Sequence, residues 1–173
     1  MHETRDLIGS KPEQYAQLLQ QARGLLSGER DRIANAANLC ALVYHALPSL
    51  NWVGFYFYDG NELVVGPFQG KPACVRIALG RGVCGTAAVT RQTQRIADVD
   101  AFPGHIPCDG ASRSELVVPL VALDKNGGDE LIGADLIGVL DLDSPETDRF
   151  DADDQRGLEE IARIWLEATY ERT

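Results

Sequence analysis

Between Pro12 and Leu26 the apolar residues Tyr15, Leu18, Leu19, Ala22, Leu25 and Leu26 recur at the spacing that gathers them on one side of an α-helix, and Ser10 stands where an N-cap belongs. Glu29 to Ala46 repeats that period through Ile33, Ala37, Cys40, Ala41, Tyr44 and His45 and stops before Pro48, which predicts a second helix. At Asn51 the period shortens to two. Trp52-Val53-Gly54-Phe55-Tyr56-Phe57-Tyr58 is an aromatic, β-branched run that Asp59-Gly60-Asn61 turns back into Glu62 to Phe68, the pattern of a β-hairpin. Alternation puts Val53, Phe55 and Phe57 on one face, as core, and Trp52, Gly54, Tyr56 and Tyr58 on the other. That second face, mixing rings with a glycine, either packs beneath helices or lines a pocket, and Trp52 and Tyr56 are its candidates for touching a substrate.

Farther along, Cys74 to Leu79 reads as a third strand, and Gly80-Arg81-Gly82-Val83-Cys84-Gly85 leads into a helix from Thr86 to Arg91. A short strand at Gln94 to Ala97 precedes Asp98 to Arg113, a polar loop of about sixteen residues, long enough to be read as a lid over a site. Ser114 to Leu123 and Leu136 to Ser144 are strong strands joined by a long glycine-containing turn, Asp124 to Asp135. Asp151 to Glu171 carries Leu158, Ile161, Ala162, Trp165 and Leu166 as the stripe of a closing helix. No internal repeat is visible. The order is that of an α+β domain over residues 1–173, with helices in 1–50, the sheet and site in 51–150 and a last helix in 151–173.

Composition narrows the function. With 45% hydrophobic residues in 173, the chain suffices for one soluble domain with a sizeable core. A net charge of -10 argues against nucleic acid and against an anionic membrane surface, both of which call for clustered lysine and arginine. Met1 to Asp6 has no apolar signal core, and nowhere do eighteen apolar residues run together, so the expected compartment is the cytoplasm. Four cysteines in a reducing compartment point to catalysis, redox sensing or metal binding rather than to a disulfide scaffold.

Three of those cysteines crowd into the stretch from Ala73 to Leu116. Cys40 sits in a helical apolar pattern and reads as core, whereas Cys108, between Pro107 and an Asp-Gly turn, has no apolar stripe to join and reads as a reactive thiol. For Cys74 and Cys84, packing and chemistry both remain open. The glycines before Cys84 would let helix-start amides face an anion and lower the thiol's pKa. His105, three residues before Cys108, is a weak zinc partner because no CxxC pair accompanies it, and His45 reads as a helix-terminal surface residue. Asp141 and Asp143 lie two apart on a strand and so share a face, and Glu115 is placed to join them. They are either a solvated sheet face or, beside three thiols, a site that binds an ammonium and handles a proton.

Taken together, Trp52-Val53-Gly54-Phe55-Tyr56, Gly66-Pro67-Phe68-Gln69-Gly70-Lys71-Pro72-Ala73-Cys74, Gly80-Arg81-Gly82-Val83-Cys84-Gly85, Phe102-Pro103-Gly104-His105-Ile106-Pro107-Cys108-Asp109, Ser114-Glu115 and Gly138-Val139-Leu140-Asp141-Leu142-Asp143-Ser144 resemble the free methionine-(R)-sulfoxide reductases, stand-alone GAF-domain enzymes. Lys125 to Asp135 departs from the resemblance as an insertion. The resemblance implies a central antiparallel sheet of about six strands with helices packed on it and a substrate held under the lid loop. It implies Cys108 as nucleophile, Cys74 as main resolving thiol forming a disulfide with it, and Cys84 as an accessory one. Glu115, Asp141 and Asp143 would hold the substrate and supply the proton. It further implies free methionine sulfoxide as substrate, a thioredoxin-type dithiol as reductant and no metal or organic cofactor, and it is compatible with a homodimer. A GAF sensor of a small molecule and a metal-binding thiol protein are the competing readings.

Overall fold

A computed structural model describes residues 5–106, 108–122 and 135–170. Its helices are α1 Lys11–Leu26, α2 Arg32–Ala46, α3 Gly82–Thr90 and α4 Ala152–Tyr170; its strands are β1 Trp52–Tyr58, β2 Glu62–Gly70, β3 Arg76–Ala78, β4 Gln94–Ile96, β5 Ser114–Ala122 and β6 Asp135–Ser144. The six strands form one sheet in the order β3-β2-β1-β6-β5-β4, and every adjacent pair is antiparallel.

Period-two alternation decides what each face of that sheet meets. Val53, Leu142 and Leu116 stand side by side across β1, β6 and β5, and Phe55, Leu140 and Val118 form the next such row. All six are buried against α1, α2 and α4, where Leu18, Leu39, Val43, Leu158, Ile161 and Trp165 close the core. The Phe55 and Phe57 rings lie 4.9 and 5.7 Å from the Trp165 indole. Burying each such side chain is worth about 1.5–3 kcal/mol, so this layer carries most of the fold's stability. The other face is left for α3 and the loops.

Local chemistry sets the element ends. Glu13 reaches back to accept the Ser10 backbone N–H at 2.8 Å and its hydroxyl at 2.6 Å, fixing the start of α1. Asp59 accepts from the N–H groups of Asn61 and Glu62 at 3.0 Å each, and Gly60 supplies the positive φ that the hairpin needs. Buried Asp154 accepts from Tyr15 and Lys11 at 2.8 Å and from Arg149 at 3.1 Å, tying α1 to α4.

Four expectations need correcting. The second helix begins at Arg32, because Asp31 caps it by accepting from Ile33 and Ala34, and its buried face is Ala36, Leu39, Cys40, Leu42 and Val43, leaving Ile33 47% exposed. The third strand shrinks to Arg76–Ala78, since Cys74 is drawn into a covalent link described below. The third helix starts at Gly82 rather than Thr86: Gly82 takes φ +62°, and the Gly85 N–H donates to Arg81 O in the first helical turn. The loop from Asp98 is not wholly irregular, for Val99–Ala101 is a 3-10 turn capped by Asp98. The turn and insertion expected at 124–135 lie outside the described residues except for Asp135, as does the end of the last helix beyond Tyr170. Among the described residues no helix is long and apolar enough to cross a membrane.

Candidate active site

The second sheet face acquires its chemistry from the same register. Trp52 pairs with Asp143, which pairs with Glu115; one step along, Gly54 pairs with Asp141, which pairs with Val117. Two rows therefore bring Trp52, Glu115, Asp141 and Asp143 onto one patch, with Tyr56 beyond them. α3 covers part of the patch and presents Cys84, while the loop from Asp98 to Arg113 brings His105, Ile106, Cys108, Asp109 and Ser112 over the rest. The cavity is small, about 30 Å³. At roughly 10–15 Å³ per water, two or three waters fill it.

At its mouth Cys74 and Cys108 are joined in a disulfide, with S–S 2.09 Å and Cα atoms 5.3 Å apart. An aromatic wall holds that segment in place. The Trp52 indole stacks between Phe68 and Tyr56, at 5.3 and 5.7 Å, and donates from Nε1 to Lys71 O at 3.1 Å; the Tyr56 hydroxyl donates to Cys74 O at 3.1 Å. Gly54 makes room for the ring, because a Cβ there would stand 2.3 Å from Trp52 Cη2 and 2.5 Å from Phe68 Cβ.

Burial dominates the electrostatics. Glu115 and Asp141 are only 6% and 5% exposed. Loss of water pushes the Asp141 carboxyl up to about 7, against the opposing pull of hydrogen bonds with Cys84, Glu115 and the Leu142 backbone. Glu115 and Asp143 go well above the usual carboxylate range, first through burial and then through the charge of Asp141. The Cys84 thiol likewise rises well above its usual value, by burial and then by the three neighbouring acids. This reverses the expectation of a thiol activated by a helix start: the dipole is a fractional charge, and burial together with three neighbouring acids outweighs it. Cys84 Sγ donates to Glu115 Oε1 at 3.8 Å. His105 Nδ1 lies 3.9 Å from Glu115 Oε2, and burial lowers the imidazole's pKa while it raises that of Glu115, so both shifts work against an ion pair here. Among the described residues, His105 Nδ1 and Asp141 Oδ1 have no hydrogen-bond partner.

Several residues were not legible as part of the site. Asn51 Nδ2 donates to Asp109 Oδ2 and to Ser112 Oγ, each at 3.1 Å, and Ser112 in turn hydrogen-bonds Asp143, so a chain of polar groups fastens the loop to the acids. No motif marks Asn51 or Ser112; only the register, with Asn51 N–H donating to Asp143 O and Arg113 N–H to Ser144 O, places them there. The zinc pairing of His105 with Cys108 is not formed, since the Cys108 sulfur is bonded to Cys74 and His105 faces Glu115 instead. Cys40 is on the opposite side of the sheet, its thiol donating to Pro67 O at 3.3 Å and its pKa pushed up to about 12 by burial. His45 is exposed at the end of α2.

A six-stranded antiparallel sheet with helices packed on it is the architecture of the GAF domain, and residues 16–164 match that family. A Burkholderia vietnamiensis protein solved as a candidate GAF sensor is 62% identical, with a TM-score of 0.85 over 94% of this chain and 97% of its own. The Escherichia coli K12 free methionine-R-sulfoxide reductase is 48% identical over 152 residues, 88% of this chain and 86% of its own. The Neisseria meningitidis free methionine-R-sulfoxide reductase, solved in complex with its substrate, superposes with a TM-score of 0.86 at 41% identity, covering 97% of this chain and 95% of that one. The chain belongs to the free methionine-R-sulfoxide reductase family of GAF-domain proteins.

Proposed function

We propose that this protein reduces free L-methionine (R)-sulfoxide to methionine with its own thiols. In this reading Cys108 is the nucleophile, Cys74 the resolving thiol and Cys84 an accessory one, and Glu115, Asp141, Asp143, Trp52 and Tyr56 hold the substrate. The observation that carries it is a Cys74–Cys108 pair in bonding reach at the mouth of a pocket lined by Glu115, Asp141 and Asp143, the first two buried.

The chemistry follows from those groups. The Cys108 thiolate attacks the sulfoxide sulfur while a protonated carboxyl of the acid set gives its proton to the oxide, which is otherwise a poor leaving group. Raised pKa values keep such a proton available at neutral pH. The oxygen passes to Cys108 as sulfenic acid and methionine leaves. The Cys74 thiol then attacks that sulfenic sulfur, forming the disulfide and releasing water. An external dithiol of the thioredoxin type restores both thiols by exchange and is itself oxidised, which also suits a reducing cytoplasm. The ammonium of the free amino acid supplies the cation that three clustered carboxyls lack, and the unpartnered Asp141 Oδ1 is its natural acceptor.

The description of the Burkholderia vietnamiensis relative favours a second reading, a sensor that binds a small molecule without turning it over. One assay separates the two: NADPH consumption with thioredoxin and thioredoxin reductase on free methionine sulfoxide, each sulfoxide epimer supplied alone. Turnover of the (R) epimer is expected. Binding of the ligand with no NADPH consumed would favour the sensor, and size-exclusion chromatography with light scattering on the same sample tests whether the protein is a homodimer.

A further inference from the structure

One group of side chains around the pocket exceeds what an ammonium-binding site needs. Cys84 Sγ and one oxygen each from Glu115 and Asp141 lie within 4.8 Å of one another, all three buried. His105 Nδ1 stands 3.9 Å from the other Glu115 oxygen. Two of these atoms, Asp141 Oδ1 and His105 Nδ1, are buried with no hydrogen-bond partner among the described residues. An ammonium can satisfy the carboxylate oxygen, but it makes no use of a thiol sulfur. One thiol, two carboxyls and one imidazole is a donor set suited to a borderline-soft dication.

The distances are compatible with such an ion. In a tetrahedral zinc site with Zn–S near 2.3 Å and Zn–O or Zn–N near 2.0–2.2 Å, the ligand atoms stand about 3.4–3.6 Å apart. Here Cys84 Sγ to Glu115 Oε1 is 3.8 Å, and the widest separation allowed within the trio is 4.8 Å. Side-chain adjustment of about an ångström closes the trio, and His105, which lies beside Glu115 but outside the trio, completes the set by moving in on its loop. Cys84 is a free thiol while Cys74 and Cys108 are bonded, so the donor set is available in the disulfide form.

We propose that the pocket also binds one thiophilic divalent cation of the zinc class, through Cys84, Glu115, Asp141 and His105, and that this ion excludes substrate. Binding expels the protons of the thiol and the carboxyls, and the dication offsets two of the three negative charges left behind. The ion acts as an inhibitor and not as a cofactor: it occupies the acids that the reaction needs for the substrate's ammonium and for its proton. The exclusion of substrate rests on the reductase reading, whereas the binding rests on the geometry alone.

The test uses the full chain in its disulfide form, without substrate, titrated with Co²⁺ as a spectroscopic probe. With Cys74 and Cys108 oxidised and Cys40 across the sheet, Cys84 is the thiol that can reach an ion in the pocket. One equivalent of Co²⁺ should produce a cobalt–thiolate charge-transfer band in the near ultraviolet, and Zn²⁺ should displace it. Cys84→Ser should abolish the band, and His105→Ala should weaken binding at least about tenfold. Should Cys84→Ser fail to fold, His105→Ala and the wild-type band decide the matter, because His105 sits on a loop. Free methionine sulfoxide in excess should bleach the band. No band in the wild-type disulfide form, a band that survives Cys84→Ser, or binding that appears only on reduction and vanishes in Cys108→Ser would each overturn the site. Because the band is read without turnover, failure of the reductase reading would leave it intact.

Discussion

Replacing Asp141 by Asn removes a charge from a crowded acidic patch while keeping the side chain's shape. Burial moves the Asp141 carboxyl from its usual 3.8 to about 7, so between those values the folded chain keeps a proton that the unfolded chain has lost. Where the folded state binds more protons, stability falls as pH rises, by about 1.4 kcal/mol per pH unit for each such group. The contribution is complete below pH 3.8 and gone once pH passes about 7, a change on the order of 4 kcal/mol shared with the acids beside it. Glu115 and Asp143 are raised in the same direction, partly by the charge of Asp141, so its removal relaxes both. Urea unfolding of the disulfide form from about pH 5 to pH 8 should show the wild type losing several kcal/mol. Asp141→Asn should lose less, by about 2–4 kcal/mol. At the acid end the variant should be the less stable one, by about 1–3 kcal/mol, because a buried amide there is imperfectly paired. The two curves then converge near neutrality. Parallel curves of equal slope would refute the argument, since they would mean that Asp141 is charged throughout the range.

Cys108→Ser should abolish turnover, whereas Cys74→Ser should release one equivalent of methionine in a single-turnover assay and then stall as sulfenic acid unless Cys84 rescues it. A Cys108→Ser rate within about tenfold of wild type, a barrier change near 1.4 kcal/mol, would reassign the nucleophile. N-acetylmethionine sulfoxide, which lacks the ammonium, should lose at least about a thousandfold in kcat/KM, roughly 4 kcal/mol; comparable rates on both substrates would sink ammonium recognition. Gly54→Ala should push the Trp52 ring from its slot, costing about 1–3 kcal/mol in thermal or urea unfolding and raising KM more than it lowers kcat.

How far the sequence could be read depended on what kind of order each feature has. Helix and strand periods repeat along the chain, so β1, β2, β5, β6 and the stripe of α4 could be placed to within a residue or two. Asp141 and Asp143 needed only alternation to be put on one face. The short elements were harder: β3 spans three residues, and α3 begins with glycines that composition alone assigns to a turn. Pairings across the sheet leave no local trace, which is why Asn51, Ser112 and the approach of His105 to Glu115 emerged only from the register. The direction of the Cys84 shift failed for a similar reason. Its helix position is written nearby in the chain, but the burial and the acids that outweigh the dipole come from packing against strands thirty or more residues away.

The alternation Leu140-Asp141-Leu142-Asp143 in β6 also bears on how the chain finds its fold. Leu140 and Leu142 fill the helix-covered core while the acids between them face the pocket. If β6 slid by one position against β1 and β5 during folding, both acids would enter a layer of Leu and Phe rings with no cation to meet them, and both leucines would enter the polar pocket. An unpaired ionisable group in such a layer costs several kcal/mol, so misaligned pairings are rejected before they can consolidate. The two acids thus also proofread the strand that carries them. Variants that neutralise both acids should refold with more off-register species, even where their native state is the more stable.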